Sequence, residues 1–251
     1  IGCAMFDDPS GQGRVPKEEA VIKFGESGNA ELYTLSGSSG QGHETVYPEI
    51  VGGLLGIAPE KITLRASDPE GPALAGGGTV GSRSTMQHGG ALAGTAYEVI
   101  KKATDLAAKD LEVAAADLEF SDGVFQVRGT DVKVSMKKII EKYGSALDSK
   151  GFMTPQGAFP SGAHIAEVEI DPETGAVDVL RYTAVDDAGR VINHTLIEGQ
   201  LHGGFAQGIG QALGEHVIYD PDSGQLLTGT LMVYRMPRAG EQPRRIDPYD
   251  L

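Results

Sequence analysis

The segment Gly76-Gly77-Gly78-Thr79-Val80-Gly81-Ser82-Arg83-Ser84-Thr85 ends a run of glycines and opens the longest helical pattern in the chain. Ser84 or Thr85 is a suitable N-cap, and Leu92, Val99, Ile100, Ala103 and Leu106 then mark an apolar face continuing to about Asp110. Glycine lets backbone approach a ligand closely, and the first turn of a helix leaves N–H groups unpaired that can meet an anion. Here those amides are joined by three hydroxyls and a guanidinium. Gly81, Ser82, Arg83, Ser84 and Thr85 therefore read as a phosphate nest, the plainer alternative being an ordinary capped helix entry. The common nucleotide motifs are excluded: no Gly-Lys-Ser/Thr follows the triple glycine, and Gly40-Gln41-Gly42 lacks a third glycine three residues on.

Working outward, residues 20–24 and 31–35 read as the strands of a hairpin around the turn at 25–29. Val46, Ile50, Val51, Leu54 and Leu55 recur at helical spacing behind Thr45 as N-cap, with Pro48 in the tolerated first turn and Gly56 as the stop. A short strand at 61–65 precedes the glycine block. Beyond the long helix, residues 119–120 and 124–128 flank Ser121-Asp122-Gly123 as a second hairpin, 135–143 read as a short helix, and 144–162 as a loop. Alternating strands at 164–170 and 176–186 surround Asp171-Pro172-Glu173-Thr174-Gly175, a helix follows at about 197–214, and strands at 217–219 and 226–234 enclose a turn at 220–224. This mixture of hairpins and long helices predicts an α+β fold rather than a doubly wound sheet.

Two more glycine-rich segments, Gly37 to Gly42 and Gly199 to Gly210, also lead into or form helices. In the latter, Ile197, Leu201, Phe205, Ile209 and Leu213 make an apolar stripe, while Gln200, Gln207 and Gln211 share another face with Gly203, Gly204 and Gly208. A glutamine offers two donors and two acceptors, which suits the urea-like edge of a pterin, and glycines beside it admit a flat ring. A solvated polar face is the alternative, against which stands the cost of roughly 0.5–1 kcal/mol per glycine inside a helix. Together the three segments predict a large, polar, anionic ligand.

Composition narrows the partners. The formal charge of −14 disfavours nucleic acid and anionic membrane surfaces, although a phosphate can still bind locally because backbone amides and one arginine act at short range while distant surface charge is screened within about 10 Å. The 36 glycines are roughly twice the ordinary share and fall in blocks without a repeat. Cys3 is the single cysteine, which excludes an internal disulfide and any cysteine cluster for iron–sulfur or zinc. The six histidines show no metal-ligand spacing, and Glu44, Glu49 and Glu215 read as solvated or capping residues. With no apolar run near the membrane-spanning length and no signal-peptide pattern, a cytoplasmic location is the expectation. The abrupt ends, Ile1 and Leu251, suggest a fragment or a subunit of something larger.

The runs Gly40-Gln41-Gly42-His43-Glu44-Thr45, Gly77 to Thr85, and Glu198-Gly199-Gln200-Leu201-His202-Gly203-Gly204 with Gln207 to Leu213 resemble the molybdopterin-binding large subunit of the xanthine dehydrogenase, aldehyde oxidase and carbon monoxide dehydrogenase family. The resemblance covers essentially this whole chain but only the later part of that subunit, its second molybdenum-cofactor domain. It implies that Gln41, in the loop Gly40-Gln41-Gly42, bonds the pterin or a molybdenum oxo group. It implies further that Gly81, Ser82, Arg83, Ser84 and Thr85 hold the pterin phosphate or the pyrophosphate of a molybdopterin cytosine dinucleotide, and that Gln200 binds the pterin. Molybdenum would be held by the cofactor's own dithiolene, so no protein ligand to metal is expected. The motifs divide the chain into residues 1–162 and 163–251. FAD and 2Fe-2S centres are expected on partner chains or domains, together with the remaining molybdopterin-subunit segments. The implied reaction is hydroxylation of an aldehyde or N-heterocycle with water-derived oxygen.

Three features depart from the pattern. The family's glutamate base lies in a Lys-Gly-x-Gly-Glu motif beyond the segment equivalent to Tyr234-Arg235-Met236-Pro237-Arg238-Ala239, so no residue here is assigned as catalytic. His194 stands where proline usually follows asparagine, and Glu49 where glutamine is frequent. Two readings stay open, the cofactor-binding part of a molybdenum hydroxylase and a non-catalytic cofactor-binding module or degenerate fragment.

Overall fold

The computed structural model describes residues 1–7, 17–25, 27–154, 157–241, 243 and 246–250. The chain forms two compact units, Pro9–Ala158 and a smaller one of Ile1–Asp8 with Phe159–Leu251. Strand β1 (Gly2–Asp7) opens the chain and belongs to the smaller unit. The larger unit then holds β2 (Glu18–Phe24), β3 (Ala30–Thr34), α1 (His43–Leu55), β4 (Ile62–Ala66), α2 (Ser84–Leu111), β5 (Leu118–Ser121), β6 (Val124–Val127), β7 (Lys133–Ser135), α3 (Met136–Tyr143) and β8 (Ser149–Met153). The smaller unit adds β9 (Ser161–Ile170), β10 (Val177–Asp187), α4 (His194–Leu213) and β11 (Ile246–Asp250). Hairpins, one parallel pair in each four-stranded sheet and long helices make this an α+β fold, as the element pattern predicts.

In the larger unit the main sheet runs β4-β3-β2-β8. Its central strand β2 is buried almost throughout, because Ala20, Val21, Ile22 and Phe24 supply apolar groups to both faces. Each such fully buried aliphatic side chain contributes roughly 1.5–3 kcal/mol relative to exposure. Helix α2 packs on β2 and β8 through Leu92, Ala96 and Val99, all fully buried, and small residues set how close it comes. A side chain on Gly151 of β8 would stand 3.0 Å from the backbone of Thr95 in α2. That close approach aims the N-terminus of α2 back at the start of β2, where Glu18 sits. A second sheet, β5-β6-β7, is the hairpin expected around Asp122-Gly123 with one more strand added.

Several local expectations are corrected. Helix α1 begins earlier than its Thr45 cap would place it: Gly42, at φ 72°, is the N-cap and makes no side-chain cap. Pro48 therefore lies inside the second turn of α1. Ser84 and Thr85 likewise fall within α2, whose N-cap is Arg83. Residues 144–162, read as a loop from their Gly, Ser and Pro content, contain β8, which pairs antiparallel with β2. Pro155 and Gln156 of that stretch, and Glu26 of the first turn, lie outside the described residues. Of the strands expected at 217–219 and 226–234 the structure keeps a single bridge, Tyr219 to Leu226, closing the turn at 220–224.

The smaller unit is a four-stranded sheet of order β1-β9-β10-β11 with α4 on one face. The β9–β10 hairpin is long and carries an irregularity between Val179 and Arg181. Asn193 caps α4 by accepting from the Leu196 N–H at 3.2 Å, and Phe205 and Ile209 turn inward, Phe205 lying 4.4 Å from the Tyr182 ring. On the same face of the sheet His164 sits between two partners, the Tyr182 hydroxyl at 2.6 Å and Asp186 at 3.0 Å. Among the described residues no helix is long and apolar enough to cross a membrane.

Candidate functional site

In the larger unit two glycine loops are tied together. The loop after β3 carries Gly40-Gln41-Gly42, with Gly40 at φ 93° and Gly42 at φ 72°, left-handed values that glycine adopts without strain. Thr79, from the second loop, donates to the Gly37 carbonyl at 2.9 Å and meets the Ser36 hydroxyl at 2.5 Å. Within the first loop the Gln41 side-chain carbonyl accepts from the Ser39 N–H at 2.5 Å, while its own N–H donates to the Ser38 hydroxyl at 3.0 Å. The amide orientation follows from those donors. The Gln41 side chain is thus held by its own loop at its oxygen alone, and its NH2 has no partner among the described residues.

The second loop reaches α2 through a left-handed pair, Gly81 at φ 61° and Ser82 at φ 51°. For serine this conformation is strained, and it delivers the chain to a helix start at which the N–H groups of Ser84, Thr85 and Met86 have no partner among the described residues. Gly81, Ser82 and Thr85 are exposed, Ser84 is half-buried, and nothing lies within 4 Å of a side chain built on Gly81. The helix dipole of these 28 residues adds positive potential at that end. The Ser84 hydroxyl is buried on the Tyr47 side, so the open part of the cradle is the amides with the exposed Ser82 and Thr85, an arrangement that fits a phosphate group.

Arg83 joins the cradle through its backbone alone. Its side chain, 4% exposed, is spent inside the protein: the guanidinium pairs with Glu18, donates to Gln87 at 2.9 Å and to the Gly78 carbonyl at 3.1 Å. The guanidinium expected to face an anion thus lies against Glu18, Gln87 and Gly78 in this structure. Around it lies a buried polar group that the sequence reading missed. Glu18 also accepts from the Gly77 N–H at 3.1 Å, and His88 stands 2.8 Å from Glu18 and 3.2 Å from the Gly77 carbonyl, with Tyr47 at its other nitrogen. Burial, with the Arg83 charge beside it, holds the His88 imidazole down at about 4, so it is neutral at neutral pH. Burial lifts the Tyr47 phenol well above its usual range. Only the Arg83–Gln87 spacing, four apart on a helix, signals any of this in sequence.

In the smaller unit, Gln200, Gln207 and Gln211 are exposed on α4. At 100° per residue they fall with Gly199, Gly203 and Gly204 inside an arc of about 140°. Nothing lies within 4 Å of side chains built on Gly199, Gly203, Gly204 or Gly208. That face is flat, open and rich in amides, as a planar heterocycle requires. No group of three or more metal-ligating side chains occurs among the described residues.

Comparison with known proteins shows the family of the chain that carries these features. The sequence profile of the molybdopterin cofactor-binding domain matches residues 1–243. The chain belongs to the molybdopterin cofactor-binding domain family. This domain is 36% identical over 255 residues to the gamma subunit of the 6-hydroxypseudooxynicotine dehydrogenase complex of Paenarthrobacter nicotinovorans, spanning 97% of this chain and 32% of that protein. It is 36% identical over 253 residues to the carbon monoxide dehydrogenase large chain of Hydrogenophaga pseudoflava, spanning 97% and 30%. Among solved structures, a Cu,Mo-containing CO dehydrogenase superposes with a TM-score of 0.90 at 30% identity, covering 100% of this domain and 34% of that chain. The quinoline 2-oxidoreductase of Pseudomonas putida 86 gives 0.88, also at 30% identity, covering 100% and 34%. The domain thus spans about a third of the relatives it matches.

Proposed function

We propose that this domain supplies the cofactor cradle of a molybdenum hydroxylase, an oxidoreductase that hydroxylates an aldehyde or N-heterocycle with water-derived oxygen. Gly81, Ser82, Ser84 and Thr85, with the backbone of Arg83, hold the phosphate end of the cofactor. Gln41 donates its free NH2, and Gln200 presents its amide beside the open glycines of α4. When bound, the molybdenum group supplies oxygen transfer to an electron-poor carbon with uptake of two electrons; the protein's share is to orient the pterin and neutralise its phosphate. Iron–sulfur and flavin centres to accept those electrons would be carried by partner chains or domains.

The observation that carries this reading is the strained Ser82 turn opening onto the unpaired amides of α2. Titrating inorganic pyrophosphate into the full chain should shift the amide resonances of residues 82–86 by NMR and leave those of α3 in place. Absence of shifts at 82–86 rejects the cradle. Tighter binding of cytidine diphosphate than of pyrophosphate would favour the dinucleotide form of the cofactor.

A further inference from the structure

The three glycines at 76–78 are gripped by buried side chains from two elements distant in sequence. The Gly77 N–H goes to Glu18 on β2, the Gly77 carbonyl faces His88, and the Gly78 carbonyl accepts from Arg83 at 3.1 Å, the latter two side chains belonging to the start of α2. Glu18, Gln87 and His88 are 0%, 0% and 1% exposed. A side chain on Gly76 would collide with the Glu18 carboxylate, and one on Gly77 with the Arg83 guanidinium, so the glycines are what allow this grip. Next to it the Glu19 N–H donates to the Ala75 carbonyl at 2.9 Å and the Ala75 N–H to the Glu19 carboxylate at 2.8 Å, zipping the loop to the start of β2.

We propose that Glu18 and Arg83 are positioning residues: their buried ion pair clamps the loop at 76–78 and so holds the Gly81-Ser82 turn in the shape that delivers the α2 amides to a phosphate, with Arg83 itself making no contact to the anion. This rests on the cradle proposed above. Glu18 Oε2 accepts from both the Arg83 guanidinium and the Gly77 N–H, which anchors the carboxylate, and the Arg83 side chain, 4% exposed with each of its nitrogens bonded inside the protein, is turned away from a ligand. Arginine at this position therefore serves geometry, and lysine cannot replace a fork that reaches Glu18, Gln87 and Gly78 together.

The two roles for Arg83 predict opposite signs. If Arg83 binds the anion, Glu18→Gln releases it and pyrophosphate binds more tightly. If Arg83 is a clamp, Glu18→Gln loosens the loop and pyrophosphate affinity falls by roughly tenfold or more, the equivalent of one charge-assisted hydrogen bond. Arg83→Lys, which keeps the charge but loses the fork, should fall as far. Gly77→Ala crowds the guanidinium directly and gives the same loss without touching either charge, in case Glu18→Gln fails to fold. Gly78→Ala, which enters open space, should stay within about twofold. Affinities are read by NMR titration of the full chain, with far-UV circular dichroism confirming the fold of each variant. A wild-type chain that takes up no pyrophosphate overturns the cradle and this inference with it. Wild-type binding that survives Glu18→Gln or Gly77→Ala unchanged, or tightens, overturns the clamp alone.

Discussion

Gly56 and Gly123 meet backbone to backbone: Gly56, at φ 67°, caps α1, and a side chain on it would stand 2.7 Å from the Gly123 nitrogen. Gly56→Ala combines left-handed strain with overpacking and should destabilise the larger unit by roughly 2–5 kcal/mol. Gly129→Ala, at φ 72° in open space, should cost only the roughly 1–2 kcal/mol of the left-handed conformation. Urea unfolding followed by circular dichroism separates the two. Glu19 gives a pH prediction. Hydrogen bonds from Lys17 and Lys150, then from the Ala75 N–H, hold its carboxyl at about 2 against 4.5 in the unfolded chain. The unfolded state takes up the proton first as pH falls, so this stabilisation is complete above 4.5 and is lost progressively from there down to about 2. Glu19→Gln should flatten the loss in that window, as read from urea midpoints against pH. Neither Glu19 nor Glu18 stands out in sequence, because nothing in a strand's local pattern names a partner that lies dozens of residues away.

Helix existence was legible throughout, and so was the start of α3 at its Ser135 cap, but the starts of α1 and α2 were not. The apolar stripes of α2 and α4 and the glycine stop of α1 follow from local spacing, whereas α1 and α2 begin at Gly42 and Arg83 without a side-chain cap. Ser84 and Thr85 look like caps because caps are common; here their hydroxyls lie within the first turn. Strand β8 was invisible for a related reason: Ser149-Lys150-Gly151 has no alternating pattern of its own, and pairing with β2 is what makes it a strand. Helix α4 does carry a side-chain cap. Asn193→Ala removes the acceptor for the Leu196 N–H and should cost about 1 kcal/mol. Faster hydrogen exchange in the first turn of α4, with the sheet of that unit unchanged, is the expected signature.

For the whole molecule, burial is concentrated in the larger unit, where β2 and the inner face of α2 are nearly inaccessible. The smaller unit exposes many apolar side chains, Met5, Ile170, Leu231 and Met232 among them, and Met232 is 94% exposed. Hydrogen exchange should accordingly be slowest at residues 20–24 and 91–103, and faster throughout β9 and β10. Equal protection in the two units would contradict this distribution of burial. The sequence by itself determined the α+β class, the three glycine-rich segments and the membership of the molybdopterin cofactor-binding domain family, because these rest on spacing within short windows. Only the tertiary structure decided where the Arg83 guanidinium lies, against Glu18, Gln87 and the Gly78 carbonyl. A guanidinium beside a glycine loop reads as an anion donor until a carboxylate from the far side of the fold is brought against it, and that meeting depends on how β2 and α2 pack rather than on any residue near Arg83 in the chain.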